Sequence, residues 1–546
     1  MRRLVSTCLL LFAASPVAGQ KSPPPLNVDS LRANLFALAA DSMGGRQTGS
    51  IGDWKAQEWV AAELKAAGWL PAGENGGYFQ VVPFIHVSVD AGASLSAGGE
   101  TWTVGKNLLP LGPAVTHDFA AVPTVYGGSI DQPETWPDSA AIVGRVVVFS
   151  VPDSIVSFRP MFATIGAIAA HPGMTRVAGM ALAGFDRMPP DLTPQILAGR
   201  VTTDTTPITS PIPPRFLIAP RALPALFGSK PKPGSVGAAV SGSLRWLRQP
   251  LDHPGRNVIA MLPGSDPALK GEYVSMSAHH DHVGFTLVPV DHDSVYAYNR
   301  VVRPMGADSP QRATTPAEAT RVAAIRDSLK KAVGDRPDSV FNGADDDGSG
   351  TVGLMAVARS LAAAPHPRRS ILIVSHVAEE RGLLGSAWFT DHPTVPRDSI
   401  VGEIDMDMVG RGNAIDLPKG GPGYLEVVGA KRLSTQFGDL FEKVNSGEAQ
   451  PFTFNYEFDV PGHPLQYYCR ADHYSYARYG IPALAISRGE HADYHQVTDE
   501  AQYIDYAVLA RVATLARDFA VAVANLEHRP VVDGPKQTDP HGPCRQ

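Results

Sequence analysis

The sequence predicts an α/β protein in which a three-layer domain with a mostly parallel central sheet is interrupted by a mostly-β insertion. Residues 251–527 alternate apolar strand-like runs with amphipathic helices, a pattern typical of a parallel sheet covered by helices. Residues 86–250 instead contain short β-branched runs broken by glycine and proline, such as GRVVVFSV at 144–151. The chain has 546 residues, too many for one hydrophobic core, so more than one domain is expected.

Residues 1–19 have the pattern of a secretory signal peptide. Met1-Arg2-Arg3 precedes the apolar run LVSTCLLLFAA, and small residues follow at Ala18 and Gly19. A buried N-terminal helix is the alternative interpretation, but it leaves the charged start and the small-residue end without a reason. We expect a secreted or periplasmic product, soluble after signal removal, and no later stretch approaches the length of a membrane span.

Residues 20–85 are predicted to be an N-terminal helical part of the α/β domain. In DWKAQEWVAAELKAAG, the side chains of Trp59, Val60, Leu64 and Ala67 fall on one helical face. Gly68 is expected to end this helix.

Charge and cysteine content narrow the function classes. The 47 basic and 54 acidic residues give a net charge of −7 without a basic cluster, so a nucleic-acid partner is not expected.

Cys469 and Cys544 lie beyond the predicted signal peptide. They either form a disulfide that ties the Pro/Gly-rich tail, 528–546, to the rest of the protein, or remain free thiols.

Five strand or loop ends in residues 251–527 carry histidine, aspartate or glutamate. They are HHDHVG (279–284), NGADDDGSG (342–350), SHVAEERG (375–382), IDMDMVG (404–410) and RGEHADYHQVTDE (488–500). Each alone has an ordinary explanation as a surface histidine, a helix cap or a solvated loop. In α/β sheets, however, ligands bind beyond the carboxyl ends of the strands. Carboxylates gathered there would repel one another unless cations neutralised them.

The residue types indicate which metal such a site would hold. Histidine together with aspartate and glutamate, without cysteine, suits zinc in a catalytic site with open positions. Calcium would favour oxygen ligands without imidazole. Two nearby zinc ions need about five or six protein ligands and a shared carboxylate, and these loops supply that number.

Taken in order, these motifs resemble the signature of the two-zinc aminopeptidase family that also includes glutamate carboxypeptidase and the transferrin receptor. The resemblance covers residues 251–527, and DSMGGRQTGS near the start is similar to the family's N-terminal segment. Residues 86–250 resemble the protease-associated domain that many members carry. The implied fold is a three-layer zinc-peptidase domain, and the implied substrates are peptides.

The resemblance implies five metal ligands. His279 and Asp407 would bind one zinc ion, Glu380 and His495 would bind the other, and Asp345 would bridge both. It also implies a cis peptide bond after the bridging residue, between Asp345 and Asp346.

Two further residues have implied catalytic roles. Glu379 would be the general base towards a water shared by the two zinc ions, and Asp281 would hold the His279 imidazole in place. Because neighbouring side chains on an extended segment point apart, Glu379 and Glu380 are expected to face different groups.

Histidines close to the motifs need separate interpretation. His280 is expected beside the site or at its rim and not as a ligand. A structural role is favoured for four further histidines: His282, His376, His473 and His491. As an alternative, His491 or Tyr494 could donate a hydrogen bond to the oxyanion.

Residues 285–341 form an insertion between the first two ligand motifs. Within it, TPAEATRVAAIRDSLKKAVG (315–334) predicts a helix that begins with a capping box of Thr315 and Glu318. Its apolar face would consist of Val322, Ile325, Leu329 and Val333. We expect the insertion to form part of the wall of a substrate cleft.

The favoured function is an exported two-zinc aminopeptidase that removes N-terminal residues from peptides. A carboxypeptidase or dipeptidase of the same family is the first alternative. The sequence shows no arginine cluster that would clearly bind a substrate carboxylate. A non-catalytic receptor-like binding protein is a further alternative, but it should have lost ligands or the general base. A glutaminyl cyclase with one zinc ion suits the complete ligand set less well.

Overall fold

The computed structural model describes residues 23–156, 158–189, 192–205, 212–310 and 312–546, so the predicted signal peptide, 1–19, lies outside them. The chain forms two compact units. The larger unit combines the described residues up to Val81 with Gly255–Gln546, and the β-rich unit is Val82–Pro254. The predicted insertion, 86–250, falls within the β-rich unit.

The larger unit begins with two helices that carry side-chain caps. Asn27 accepts a hydrogen bond from the backbone of Ser30, and Ser50 accepts one from Asp53. The second helix ends just before Gly68, whose φ of +82° supports the predicted stop. The elements of this part are α1 (Val28–Leu38), α2 (Ile51–Ala66), β1 (Leu70–Pro71) and β2 (Phe79–Val81).

The described residues of the β-rich unit form an eight-stranded sheet, a separate three-stranded sheet and four α-helices. Alternate residues of one central strand enter two different cores, with Val146 and Val148 on one face and Val147 and Phe149 on the other. Its elements are β3 (Phe84–Val89), β4 (Ser94–Ala97), β5 (Glu100–Thr103), β6 (Leu108–Gly112), β7 (His117–Ser129), α3 (Ser139–Ile142), β8 (Val146–Ser150), α4 (Phe158–Ala169), β9 (Gly179–Ala183), α5 (Leu192–Ala198), β10 (Arg200–Thr203), β11 (Arg215–Ile218), α6 (Ala222–Phe227), β12 (Val236–Leu244) and β13 (Trp246–Pro250).

The remainder of the larger unit alternates strands and helices, as the sequence predicts. Its elements are β14 (Arg256–Leu262), β15 (Tyr273–His279), β16 (Phe285–Asp291), α7 (His292–Val302), α8 (Pro316–Val333), β17 (Pro337–Val340), α9 (Gly350–Ala362), β18 (Ser370–His376), α10 (Leu384–Asp391), β19 (Ile400–Met406), β20 (Tyr424–Val428), α11 (Thr435–Gly447), β21 (Thr453–Asn455), α12 (His473–Ala477), β22 (Ala483–Ser487) and α13 (Tyr506–Ala524).

The main sheet of the larger unit is mixed. Its strands follow the order β1-β14-β18-β15-β19-β22-β20-β21, and β2 pairs with β14. The four central strands, β18, β15, β19 and β22, are mutually parallel, whereas β14 and β20 run antiparallel to them. The predicted mostly parallel sheet therefore describes the centre only. Because the central strands are parallel, their carboxyl ends meet at one edge of the sheet.

Helices cover both faces of this sheet, which gives the predicted three layers. On β18, Ile371 and Ile373 enter a core with α1, α2, α9, α11 and α13. Leu372 and Val374 enter a second core with residues of α10 and α12. The alternation follows from the two-residue period of a strand, and it explains why β18 is apolar at consecutive positions.

The predicted insertion helix is present as α8, and its capping box is formed. Thr315 accepts from the backbone of Glu318, and the Glu318 carboxylate accepts from the backbone of Thr315. None of the α8 residues is buried, and Val333 is 59% exposed. The predicted apolar face is therefore only half-covered.

Cys469 and Cys544 form a disulfide, with Cα atoms 5.9 Å apart. This outcome decides between the two alternatives that the sequence left open. The Gln546 side chain also joins the tail to this region, because its Oε1 accepts from the backbone of Tyr468 at 3.0 Å and its Nε2 donates to Phe458 O at 3.0 Å. Across the described ranges, no helix combines the length and apolarity needed to cross a bilayer.

Candidate metal centre and adjoining cavity

The ends of the parallel strands bring the predicted site residues together. His279 is the last residue of β15, and its backbone is held on both sides: N–H donates to Asp347 Oδ2 at 3.2 Å, and the carbonyl accepts from Thr351 Oγ1 at 2.6 Å. Glu379 and Glu380 follow β18 in a short helical turn that Ala378 enters with φ +59°. The two carboxylates face different histidines, as expected. The cause is the helical turn and not the extended segment that the sequence predicted.

One group of candidate ligands consists of His279, Asp346 and Asp407. Their ligand atoms all lie within 4.8 Å of one another. His279 Nε2 is 3.3 Å from Asp346 Oδ1 and 3.7 Å from Asp407 Oδ1. These three side chains could hold one metal ion.

A second group consists of His282, Asp346, Glu380 and His495, also within 4.8 Å. His495 Nε2 lies 3.0 Å from Asp346 Oδ2 and 2.9 Å from Glu380 Oε2. Asp346 belongs to both groups and presents one carboxylate oxygen to each. It therefore has the geometry of a bridging ligand.

The structure corrects the expectation that Asp345 lies between the two groups. Asp345 Oδ1 accepts from the backbone of Gly410 at 2.7 Å, and its Oδ2 lies 3.2 Å from His491 Nε2. The cis peptide bond is likewise one residue later than predicted, between Asp346 and Asp347. The sequence could not show which of the three consecutive aspartates faces both groups. The turn 344–349 has non-helical dihedral angles at Asp346 and Asp347, so no helical or strand periodicity applies to their side chains.

His282 was expected to have a structural role, but the structure places it in the second group. Its Nδ1 lies 2.7 Å from Glu380 Oε1, and neither ring nitrogen has a hydrogen-bond partner among the described residues. The side chain is fully buried. The sequence could have indicated His282 as a ligand, because it lies three residues after His279 in the run HHDH.

Unpartnered buried atoms test whether a cation fits here. Among the described residues, the ligand-facing atoms His279 Nε2, His282 Nδ1, Asp346 Oδ2, Glu380 Oε1 and Asp407 Oδ1 are buried without a hydrogen-bond partner. Leaving such atoms unpaired is costly in the absence of a cation. Imidazole nitrogens with carboxylate oxygens are a donor set that suits zinc.

Asp281 connects His279 with Glu379. His279 Nδ1 lies 3.1 Å from the Asp281 carbonyl oxygen, so donation from Nδ1 leaves Nε2 free to face a metal. The Asp281 carboxylate is 3.7 Å from that imidazole, and it accepts instead from Thr48 Oγ1 at 2.9 Å and from the backbone of Glu379 at 3.1 Å. Asp281 therefore contacts His279 through its backbone carbonyl and Glu379 through its carboxylate, whereas the prediction concerned only its hold on the His279 imidazole.

Arg46 is a positioning residue that the sequence did not reveal. It comes from DSMGGRQTGS and is fully buried. Its guanidinium donates to the carbonyl oxygens of His280 at 2.9 Å, Asn342 at 2.6 Å and Gly343 at 2.7 Å. These bonds join the loop that carries His282 to the turn that carries Asp346.

The remaining histidines lie outside both groups. His280 is buried against Ser375, with Nδ1 2.9 Å from Ser375 Oγ, so it is not at the rim. His376 Nε2 contacts the Tyr476 hydroxyl at 3.1 Å, and His473 is buried. His491 faces Asp345, which makes it unsuitable as an oxyanion donor.

The electrostatics reflect crowded charges. Burial raises the pKa of Glu379 well above its ordinary value; His279 opposes this shift, and the carboxylates of Glu380 and Asp407 add to it. Burial would lower the pKa of His279, but the surrounding carboxylates hold it well above its ordinary value. The pKa of His495 is raised in the same way, against burial, by Glu380 and Asp346.

A cavity opens beside the two groups. Asp346, Glu379, Asp407 and His495 line one part of it. The remaining lining residues come from β20, β22 and neighbouring loops: Met408, Glu426, Val428, Tyr467, Arg470, Ala471, Ala485, Ser487, Glu490 and Tyr494.

The described residues of the insertion, 285–310 and 312–341, supply none of the lining residues of this cavity, which corrects the prediction that the insertion forms part of its wall. It instead supports two lining residues from behind. Asp308 Oδ2 pairs with Arg470 Nη1 at 2.5 Å, and the backbone of Ala307 donates to Tyr494 O at 3.0 Å.

Comparison with known families identifies the domain that carries this site. The model of peptidase family M28 matches residues 257–520. Residues 257–520 of this chain belong to peptidase family M28. The M28 domain spans β14 to α13 and contains every candidate ligand. This result confirms the family resemblance, whereas the protease-associated identity of the β-rich unit stays a prediction.

Solved structures similar to this chain include an aminopeptidase from Aneurinibacillus sp. strain AM-1, at 16% identity and a TM-score of 0.47, covering 94% of this chain and 98% of that chain. A zinc aminopeptidase from Bacillus subtilis matches at 16% identity and a TM-score of 0.48, covering 91% and 94%. A glutaminyl cyclase from Porphyromonas gingivalis matches at 15% identity and a TM-score of 0.39, covering 90% and 97%. No curated protein sequence matches the chain.

Proposed function

We propose that this M28 protein is a zinc-dependent aminopeptidase that uses two metal ions to remove N-terminal residues from peptides. The observation that carries the proposal is Asp346, whose two carboxylate oxygens face two separate histidine and carboxylate groups. Membership of residues 257–520 in a peptidase family supports hydrolysis of a peptide bond.

The two groups would divide the metal ligands between them. His279 and Asp407 would hold one zinc ion, Glu380 and His495 would hold the other, and Asp346 would hold both. His282 either joins the second set or orients Glu380 through its 2.7 Å contact. When bound, zinc would polarise the scissile carbonyl and make water more acidic.

Glu379 is the proposed general base. It lines the cavity, its side chain is 12% exposed, and its Oε2 lies 3.9 Å from His279 Nε2. From there the carboxylate would take the proton of the attacking water and return it to the leaving amine. Burial and the neighbouring carboxylates raise its pKa in the metal-free site, and bound zinc ions would lower it again towards the ionised form that a base needs.

Tyr494 is the proposed donor to the oxyanion that develops on the substrate. Tyr494 lines the cavity, and its hydroxyl accepts from Arg470 Nη2 at 3.1 Å, which leaves its own proton available for donation. His491, the other candidate from the sequence, contacts Asp345 instead.

The test combines metal analysis with matched peptides that carry either a free or an acetylated N-terminus. We expect zinc in the purified protein and cleavage of the free peptides alone. Glu379→Gln should keep its zinc and lose about 10²- to 10⁴-fold in kcat, whereas Glu380→Gln should also lose zinc. Equal cleavage of acetylated peptides would contradict the aminopeptidase assignment in favour of a carboxypeptidase, and cyclisation of N-terminal glutamine without hydrolysis would favour a glutaminyl cyclase.

Export is a separate part of the proposal. The Cys469–Cys544 disulfide suits an oxidising compartment, and the N-terminal pattern is that of a secretory signal. N-terminal sequencing of the mature protein should find a start near residue 20, and an unprocessed Met1 in extracellular material would contradict it.

A further inference from the structure

One end of the cavity beside the metal ligands carries acidic side chains on two paired strands. Glu426 lies on β20 opposite Ser487 on β22, and Val428 lies opposite Ala485, so these four side chains share one face of the strand pair. The intervening Val427 points to the opposite face and joins the main core. The cavity floor is therefore formed by rigid strands.

Glu426 is held in place without a positive partner. It is 4% exposed, and the Tyr424 hydroxyl donates to its Oε1 while Asn455 Nδ2 donates to that hydroxyl at 2.9 Å. Within the described part of the chain, Glu426 forms no ion pair with lysine, arginine or histidine. A buried carboxylate without a cation is unfavourable unless function requires it.

A second carboxylate, Glu490, lies in the same cavity and is 6% exposed. Its Oε1 is 3.3 Å from Arg470 Nη2, and its Oε2 has no hydrogen-bond partner among the described residues. Glu426 and Glu490 thus both have unused capacity to accept hydrogen bonds from a ligand.

Arg470 does not neutralise this end of the cavity. Apart from His495, it is the only basic residue among the lining residues, and Asp308 from the insertion already pairs with it at 2.5 Å. Asp308 and Glu490 therefore both contact the Arg470 guanidinium, whereas Glu426 lines the same cavity without pairing with it. Burial raises the pKa of Glu426 to about 7 and that of Glu490 to about 8, and a bound cation would favour their charged forms.

We propose that this cavity receives the side chain of the substrate's N-terminal residue and that Glu426 and Glu490 select lysine or arginine there. The inference rests on the proposed aminopeptidase function, because that reaction places the N-terminal residue's carbonyl at the metal ligands and its side chain beside them. A long cationic side chain would pair with both carboxylates. An apolar side chain would leave them buried and unpaired, which is unfavourable.

The first experiment measures kcat/KM for lysine, arginine, leucine and glutamate p-nitroanilides. We expect lysine and arginine to be preferred, and Glu426→Gln to lower their kcat/KM by about 10- to 100-fold while leucine changes little. Glu527→Gln is the matched control, because Glu527 is exposed and does not line the cavity. A uniform loss for all substrates would overturn the inference, since it would assign Glu426 to the α-amino group, and so would a preference for glutamate.

The second variant changes the charge balance without touching the cavity lining. Asp308→Asn should free Arg470, lower the preference for lysine over leucine by several-fold and improve the glutamate substrate. Asp327→Asn, on the exposed surface of α8, is the control within the same insertion. If Asp308→Asn left the relative kcat/KM values of the substrates unchanged, Asp308 would not be neutralising Arg470. That result would contradict this part of the inference.

Binding separates failure of this inference from failure of the proposed function. Zinc-loaded Glu379→Gln should bind lysinamide more tightly than leucinamide, and adding Glu426→Gln should remove the difference. Equal binding of the two amides overturns the inference whatever the turnover. Absence of turnover for every amide with the wild-type protein overturns the proposed function instead.

Discussion

Arg46 Nη2 donates to the carbonyl oxygen of Gly343 at 2.7 Å, across 297 positions of sequence. Gly343 begins the turn that carries Asp346, and it has a φ of +56°. A single buried guanidinium from the N-terminal part of the larger unit is therefore bonded to the turn that carries Asp346, and it also holds the carbonyl of His280.

Replacing Arg46 with methionine should destabilise the protein by about 3–5 kcal/mol, because several buried carbonyls would lose a charged donor. The loss should lower the thermal unfolding midpoint and the zinc content together, since the guanidinium joins both ligand loops. Lys55→Met, an exposed change on α2, is the control. Unchanged zinc content in folded Arg46→Met would show that the guanidinium is not needed to position the ligands.

Asp345 and Asp346 should differ sharply when each is replaced with asparagine. Asp346→Asn should lower zinc content and reduce activity by at least about 10²-fold, because it removes the carboxylate shared by both groups. Asp345→Asn should mainly affect stability, because its carboxylate accepts from the backbone of Gly410. Zinc measured by mass spectrometry distinguishes them, and the reverse result would restore the register expected from the sequence.

Stabilisation by zinc should increase with pH. The carboxylates hold the pKa of His279 and His495 well above the ordinary value of 6.5. In metal-free protein, this contribution is fully present below about pH 6.5 and is lost as the pH rises through the raised values. Burial also raises the pKa of Asp405 from 3.8 to about 7, so the metal-free fold loses stability through this carboxylate between about pH 4 and pH 7, before most of the histidine contribution is lost.

The measurement is the thermal midpoint with zinc and with a chelator between pH 5.5 and 8.5. The difference should widen at higher pH, because zinc then replaces protons that the histidines no longer hold. Asp346→Asn should show little difference at any pH. A zinc effect of constant size would contradict the assignment of these histidines as ligands.

Loss of the Cys469–Cys544 disulfide should lower the free energy of unfolding by about 4.5 kcal/mol at most, because it closes a loop with a sequence separation of 75. Cys469→Ser should show this loss in denaturant unfolding. Reductant should lower the midpoint of the wild-type protein and leave that of Cys469→Ser unchanged. Equal sensitivity of the two proteins to reductant would indicate that the effect does not come from this bond.

The sequence by itself determined the strand and helix pattern and the loops that carry the ligands. Apolar runs at 272–278, 370–374 and 404–410 predicted buried strands, and polar residues after each run predicted a site at one edge of the sheet. Strand periodicity and parallel topology identified the loops at this edge, and the family resemblance then singled out His279, Glu380, Asp407 and His495 within them. The capping box at Thr315 was also readable, since its hydrogen bonds are local.

Only the tertiary structure decided which of three adjacent aspartates faces both groups, that His282 joins one of them, and that the insertion supports Arg470 and Tyr494 from behind. The choice between Asp345 and Asp346 depends on irregular dihedral angles in the turn 344–349 and on Arg46, which lies 297 residues before Gly343. Side-chain periodicity carries no information about such a turn. Contacts between residues distant in sequence, such as Asp308 with Arg470, arise only when the chain is packed.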